Sequence, residues 1–184
     1  MGCTSGQYGA GAAVSSGRIE NCLIVGNSAT ANGKCGGGLY LNGTAWNCTV
    51  VSNTAKRATG GVLLDSSGRC VNCAILGNVL IDSAQENQDW SANMREYLTY
   101  CATPIRTGEG YVLTTFDGAG FRNPAAGDYR IRNRSPLLNA GSDPGYAADD
   151  TDLAGNPRVS NGIVDIGCYE WQWEPPKGTV LIFK

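Results

Sequence analysis

The 184-residue sequence predicts an all-β fold, a solenoid of parallel strands with an irregular C-terminal cap. Three observations lead to this prediction. A pattern recurs every 25 or 26 residues along the first half of the chain, its apolar residues alternate with period two, and Gly and Asn end each run as a turn requires. No helical segment separates the copies, which excludes the βαβ layout of ordinary parallel sheets.

The repeat is clearest in three segments that share an Asn-Cys pair: GRIENCLIVGNSA from Gly17, GTAWNCTVVSNTA from Gly43 and GRCVNCAILGNVL from Gly68. A second shared element precedes each copy, and a looser fourth copy, LTYCATP, follows them. Short strands joined by tight turns at this period predict about four coils, each hydrogen-bonded to the next.

Two ladders of side chains are expected along the solenoid. The alternation places the repeated cysteines inside, one above another, where a thiol behaves as a small apolar group: Cys22, Cys48, Cys73 and Cys101. The asparagines that end each run are expected to stack at a turn and to bond one another: Asn27, Asn53 and Asn78. In the same register Val50 points inward and Thr49 points outward.

The remaining cysteines do not predict a disulfide framework or a metal site. The chain is too long for a fold that depends on disulfides, so most thiols are expected to be free. Cys70 and Cys73 form a lone C-x-x-C without a second pair, which does not make a zinc site. The states of Cys3, Cys35 and Cys168 stay open.

We expect solenoid coils over residues 1–107, with an irregular coil or insertion at 81–100. In that insertion, helical spacing from Trp90 to Leu98 allows a short helix, and a widened coil that tucks Trp90 inward is the alternative. Residues 108–184 are rich in turns and are expected to form a β-rich cap packed on the solenoid, because solenoid ends expose apolar surface. No such cap precedes the first coil, near Gly9 to Val14, so either fraying of residues 1 to about 16 or end-to-end self-association is expected there.

Composition excludes several classes of function. The sequence has no histidine, which removes Ser-His-Asp and Cys-His nucleophile systems and every His-ligated metal site. A net charge of −2 predicts no nucleic-acid partner. No apolar run is long enough to span a membrane, and the sequence carries no signal peptide, so membrane insertion is not expected.

The repeats resemble the right-handed parallel β-helix repeats of the pectin-lyase-like superfamily. From YCATP through GDYRIRNRSPLLNAGS to TDLAGNPRVSNGIVDIGCYEW, the sequence is similar to the end of bacterial surface β-helix proteins with a choice-of-anchor domain. The resemblance implies a right-handed coil and an extracellular or cell-surface location. Many members lack a known activity, and some relatives cleave acidic polysaccharides. Two features depart from the pattern: Ala154 replaces a common acidic residue, and the final EPPKGTVLIFK contains no recognisable sorting anchor.

No catalytic residue is predicted. Two outward columns can be aligned, and neither contains the acids and bases that a lyase or a glycosidase needs. The members of these columns are Ala13, Tyr40 and Leu63 on one face and Leu23, Thr49 and Ala74 on another.

Two weaker binding hypotheses remain. Tyr40 and Trp46 could stack on sugar rings, with ordinary packing as the alternative. The acidic turn with Asp149, Asp150 and Asp152 resembles the start of a Ca²⁺ loop, although Ala154 takes a ligand position, and a solvated turn is the alternative. No other cofactor is expected.

The sequence therefore favours a non-catalytic structural or adhesive segment of a secreted or cell-surface β-helix protein, with polysaccharide as its candidate partner. The alternative is a fragment of a polysaccharide lyase or glycoside hydrolase of the same fold, with its catalytic coils elsewhere.

Overall fold

The computed structural model describes residues 4–5, 8–30, 35–81, 88–91, 96–160 and 162–172. These residues form an all-β structure without an α-helix in the described ranges, and 3-10 turns occur at Asp117–Ala119 and Pro124–Ala126. The strands, in chain order, are β1 (Thr4–Ser5), β2 (Tyr8–Gly9), β3 (Ala12–Val14), β4 (Arg18–Glu20), β5 (Leu23–Val25), β6 (Ser28–Ala29), β7 (Cys35–Gly36), β8 (Leu39–Leu41), β9 (Thr44–Trp46), β10 (Thr49–Val51), β11 (Thr54–Ala55), β12 (Val62–Leu64), β13 (Arg69–Val71), β14 (Ala74–Leu76), β15 (Val79–Leu80), β16 (Leu98–Thr99), β17 (Ala102–Thr103), β18 (Val112–Leu113), β19 (Phe121–Asn123) and β20 (Asp128–Ile131).

Equivalent strands of successive repeats lie side by side and pair in parallel. The parallel sheets have the orders β1-β6-β11-β15, β2-β7, β3-β8-β12, β4-β9-β13-β16 and β5-β10-β14-β17-β18. Thr49 is opposite Leu23 on one side and Ala74 on the other, which is the register of the sequence repeat. Parallel strands stacked in this way are consistent with a β-helix, and the pairing continues past residue 107 into β18.

The inner core lies between the sheets and is built from alternate residues of the strands. Cys48 and Val50 are buried there, beside Ile24 and Ile75 of the neighbouring repeats. The other buried residues of the same cluster are Leu39, Leu41, Ala45, Val62, Leu64, Cys70, Cys73, Trp90, Leu98 and Cys101.

A second core covers the opposite face of the five-stranded sheet. Thr49 points away from the inner core as expected, but it is 2% exposed, because the C-terminal segment (residues 108–172) packs over this face. Apolar residues of the sheet meet apolar residues of that segment: Val51, Ala74, Leu76 and Ala102 against Ala119, Phe121, Tyr129, Ile131, Leu137 and Ile166. The expected cap therefore packs on a side of the stack. The physical reason is that this outward column is apolar and must be kept from water.

The first asparagine of each repeat joins the sheets to the C-terminal segment. Asn21, Asn47 and Asn72 have φ of 49°, 46° and 54°, the left-handed conformation that asparagine tolerates better than most residues. Their side-chain Nδ2 groups donate to backbone carbonyls of the segment: Thr151 at 3.0 Å, Asp165 at 3.0 Å and Ser142 at 2.7 Å, respectively.

The second asparagine of each repeat belongs to a buried ladder. Asn27 Nδ2 donates to Asn53 Oδ1 at 2.9 Å, and Asn53 Nδ2 donates to Asn78 Oδ1 at 2.9 Å. The backbone N–H of Asn53 also donates to Asn78 Oδ1, at 3.0 Å. Asp89 takes the next position, since its Oδ1 accepts from Asn78 Nδ2 at 2.7 Å.

In the irregular stretch, Trp90 is 2% exposed and lies in the inner core, bridged in parallel to Val62. This position fits the widened coil that tucks Trp90 inward. Residues 82–87 and 92–95, on which the helical alternative depends in part, lie outside the described residues.

Candidate functional site

A third outward face, that of the sheet β4-β9-β13-β16, carries the charged side chains that the other two columns lack, together with the ring of Trp46. The middle residues of its strands point inward: Ile19, Ala45 and Cys70 pack in or against the inner core. The flanking residues form the outer face, and they are Arg18, Glu20, Thr44, Trp46, Arg69 and Val71. In the sequence, these outward residues could be found from the alternation of inward and outward positions in RIE, TAW and RCV, the segments that directly precede each Asn-Cys pair.

One end of this face forms a cleft of about 180 Å³ with the C-terminal segment. We call it the Trp46 cleft, and its lining residues are Arg18, Glu20, Asn21, Trp46, Pro144, Gly145, Tyr146 and Asp150. This volume is below the roughly 300–1,000 Å³ of sites that enclose a drug-sized ligand. The cleft therefore suits one unit of an extended ligand lying on the surface.

Trp46 is half-buried and forms one wall of the cleft. The guanidinium carbon of Arg18 lies 4.5 Å from the centroid of its ring, a cation–π contact. Arg18 Nε also pairs with Glu20 Oε2 at 2.9 Å, at the surface. The indole Nε1 of Trp46 is buried and has no hydrogen-bond partner among the described residues. A buried donor without a partner is uncommon in folded proteins.

The opposite wall comes from residues 144–150. The Tyr146 hydroxyl donates to Asn47 Oδ1 at 2.5 Å, and burial raises the pKa of Tyr146 to about 12. Asp150 is exposed, and its Oδ2 accepts from the backbone N–H of Ala147 at 2.7 Å. Both side chains are thus held in place by the fold before any ligand arrives.

The structure separates the two aromatic residues that the sequence singled out. Tyr40 lies on β8, in another sheet, and its hydroxyl donates to Asp65 Oδ2 at 2.5 Å. It does not line the Trp46 cleft, whereas Asp150, predicted as a calcium ligand, does.

The predicted calcium ligands are spread over different environments. Asp149 and Asp150 are exposed, and Asp152 is 5% exposed. The carboxylate of Asp152 accepts backbone N–H groups from Ala154, Asn156 and Glu170 at 2.8–2.9 Å, so its oxygens already serve the fold. Within the described residues, no group of three or more Cys, Asp or Glu side chains could hold a metal ion. The calcium hypothesis stays a prediction without support from this geometry.

Behind the cleft lies a buried charged cluster that sequence reasoning missed. Arg158 Nη2 pairs with Glu170 Oε2 at 3.1 Å, and both side chains are fully shielded from solvent. Burial, followed by the charge of Asp165, raises the pKa of Glu170 to about 8. Perturbed acids often mark catalytic sites. Here no solvent reaches the pair, and Arg158 Nη2 also donates to the Asp165 carbonyl at 2.8 Å, which indicates a structural role.

The cysteines of the repeats form a regular row. The thiols of Cys48, Cys73 and Cys101 each donate to the carbonyl two residues earlier, at 3.3 Å. Cys22 does the same at 3.1 Å and is half-buried. The described cysteines with resolved side chains are free thiols, and burial raises the pKa of Cys168 to about 12. Cys3 and the side chain of Cys35 lie outside what the structure describes.

No protein-family model, curated protein or solved structure matches this chain. A membrane-spanning helix is not found among the described residues either.

Proposed function

We propose that this chain is a segment of a secreted or cell-surface bacterial protein with a right-handed parallel β-helix of about four coils and a structural or adhesive role. Two observations support the proposal. Equivalent strands of consecutive repeats pair in parallel, and the repeats resemble those of the pectin-lyase-like superfamily. The resemblance of residues 100–171 to the end of surface β-helix proteins with a choice-of-anchor domain supports a location outside the cell.

The adhesive role is assigned to the Trp46 cleft, with carbohydrate as the ligand. The observation that carries it is the ring of Trp46, which lines a cleft together with the charged side chains of Arg18, Glu20 and Asp150. A sugar ring offers an apolar face to the indole and hydroxyl groups to the charged side chains. Arg18 and Glu20 supply a further donor and acceptor.

Titration calorimetry of the full chain with a panel of neutral oligosaccharides tests this assignment. We expect Trp46→Ala to weaken binding at least tenfold, because it removes the ring against which a sugar would pack. Trp46→Phe keeps an aromatic ring and should lose less affinity than Trp46→Ala. Tyr40→Phe is the control, since Tyr40 lies outside the cleft, and it should bind as the parent does. Unchanged binding by Trp46→Ala, or an equal loss in Tyr40→Phe, would show that the cleft is not the site.

A second assay separates this role from that of a polysaccharide lyase. In the Trp46 cleft Arg18 and Glu20 are paired with each other, and we expect neither to act as a catalytic base or acid. Incubation with polygalacturonate or alginate, with and without Ca²⁺, should produce no unsaturated sugars. Growth of the absorbance of new carbon–carbon double bonds would favour the enzyme instead.

A further inference from the structure

The outer face of the β19–β20 hairpin is strongly basic. Its inner residues are buried in the second core: Phe121, Tyr129 and Ile131. The residues between and beside them, Arg122, Arg130 and Arg132, are exposed. Residues 122–134 contain four arginines and one acid, although the whole chain has a net charge of −2. The hairpin therefore concentrates positive charge on an otherwise acidic protein.

Two of these arginines have no carboxylate partner among the described residues. Arg130 is held by Asp128 through two hydrogen bonds, of 2.8 and 2.7 Å. Arg132 Nη2 instead donates to the backbone carbonyl of Arg122 at 2.6 Å, and Arg122 Nε donates to that of Ile131 at 3.4 Å. Each guanidinium has five N–H donors. These bonds therefore orient the side chains of Arg122 and Arg132 and leave further N–H groups available to a ligand.

Arg122 and Arg132 line a cleft of about 470 Å³ that also contains the ring of Trp171. The other lining residues are Asn133, Trp171 and Gln172. The volume lies within the range of small-ligand sites. A guanidinium binds a carboxylate or sulfate through paired hydrogen bonds, an indole packs against the apolar face of a ring, and side-chain amides bond hydroxyl groups.

We propose that this cleft, here called the Arg122 cleft, binds an acidic sugar that carries a carboxylate or a sulfate group. Arg122 and Arg132 hold the anionic group, and Trp171 packs against the sugar ring. The Arg122 cleft shares no lining residue with the Trp46 cleft, so this inference goes beyond the proposed function and does not depend on it.

The test is titration calorimetry of the full chain with four probes: an oligogalacturonate, a sulfated heparin oligosaccharide, neutral cellotetraose and an oligothymidylate. We expect the acidic sugars to bind, and we expect their affinity to fall as salt is added. The double variant Arg122→Ala, Arg132→Ala should lose at least tenfold in affinity. Arg132→Lys keeps the charge but not the planar arrangement of donors, so its affinity should lie between those of the parent and the double variant. Thermal unfolding checks that each variant is folded.

Arg134→Ala is the matched control, because Arg134 is exposed on the same stretch but does not line the cleft. It should change affinity by less than about twofold. A carboxylate ligand is indicated if oligogalacturonate binds more tightly, and a sulfate ligand if the heparin fragment does. The proposal is overturned if neither acidic sugar binds, if the double variant binds as the parent, if Arg134→Ala loses as much, or if the oligothymidylate binds equally well.

Discussion

At the level of single residues, the two asparagines of each repeat, one before and one after the repeated cysteine, have different hydrogen-bond partners. Asn47 and Asn72 have left-handed backbones and donate to the C-terminal segment, whereas Asn53 and Asn78 bond their equivalents in neighbouring repeats. These amides are buried, and a buried polar group left without a partner costs about 1–3 kcal/mol. The two rows of asparagine therefore define where each strand ends and what packs beside it.

The end of the asparagine ladder makes stability depend on pH. Burial raises the pKa of Asp89 to about 6, against an ordinary value near 3.8. A raised pKa means that the folded state prefers the protonated carboxyl. The contribution of Asp89 to stability is therefore fully present below about pH 4 and is lost as pH rises through 6, by about 3 kcal/mol, since each pKa unit corresponds to about 1.4 kcal/mol.

Asp89→Asn should remove this dependence, because an amide keeps an oxygen acceptor for Asn78 and carries no charge. We expect its melting temperature to exceed that of the parent at pH 7 and to approach it near pH 4. Asp117→Asn makes the same change at an exposed carboxyl and is the control. Melting curves from pH 4 to 8 measure the difference, and a gap that does not change with pH would contradict the assignment.

At the scale of elements, strand β10 is buried on both faces. Val50 points into the inner core, while Thr49 and Val51 lie under the C-terminal segment. The Thr49 hydroxyl accepts the backbone N–H of Cys168 at 3.0 Å, so the strand and the segment are joined by polar contacts as well as apolar ones. A slip of one residue would exchange these two sets of side chains.

Val50→Asp tests the register of β10. Val50 is 1% exposed, so the substitution places an unpaired charge in the inner core and should cost roughly 4 kcal/mol or more, a large share of the roughly 5–15 kcal/mol by which a domain is stable. The control is Val79→Asp, the same change in β15, where Val79 is 47% exposed. It should cost about 1 kcal/mol or less. Urea unfolding followed by circular dichroism compares the two, and equal losses would show that the register is wrong.

In the whole molecule, one end of the stack is formed by the strands β3, β4 and β5. Among the described residues, each of them is the last strand of its sheet on that side. Ala12, Val14 and Ile19 are partly buried there and pack against the inner core. An exposed edge is a template for pairing with another chain, so this end should either fray or join a second copy.

Hydrogen exchange at several protein concentrations separates these outcomes. Fraying gives fast exchange over residues 12–25 at every concentration, whereas end-to-end pairing gives protection that increases with concentration. Sedimentation velocity on the same samples measures the oligomer. Full protection of these residues in a dilute monomer would contradict both outcomes.

The sequence alone predicts the parallel repeats, their register and the inward row from Cys22 to Cys101, because a period of 25 or 26 residues and an alternation of two are local patterns. It also singled out Trp46. Only the tertiary structure decided that the column with Leu23 and Ala74 is covered by the C-terminal segment and that Asp150 faces Trp46 across a cleft. The physical reason is distance along the chain. Contacts between residues about a hundred positions apart depend on how an irregular segment folds back, and turns without a repeat leave no periodic signal of that path.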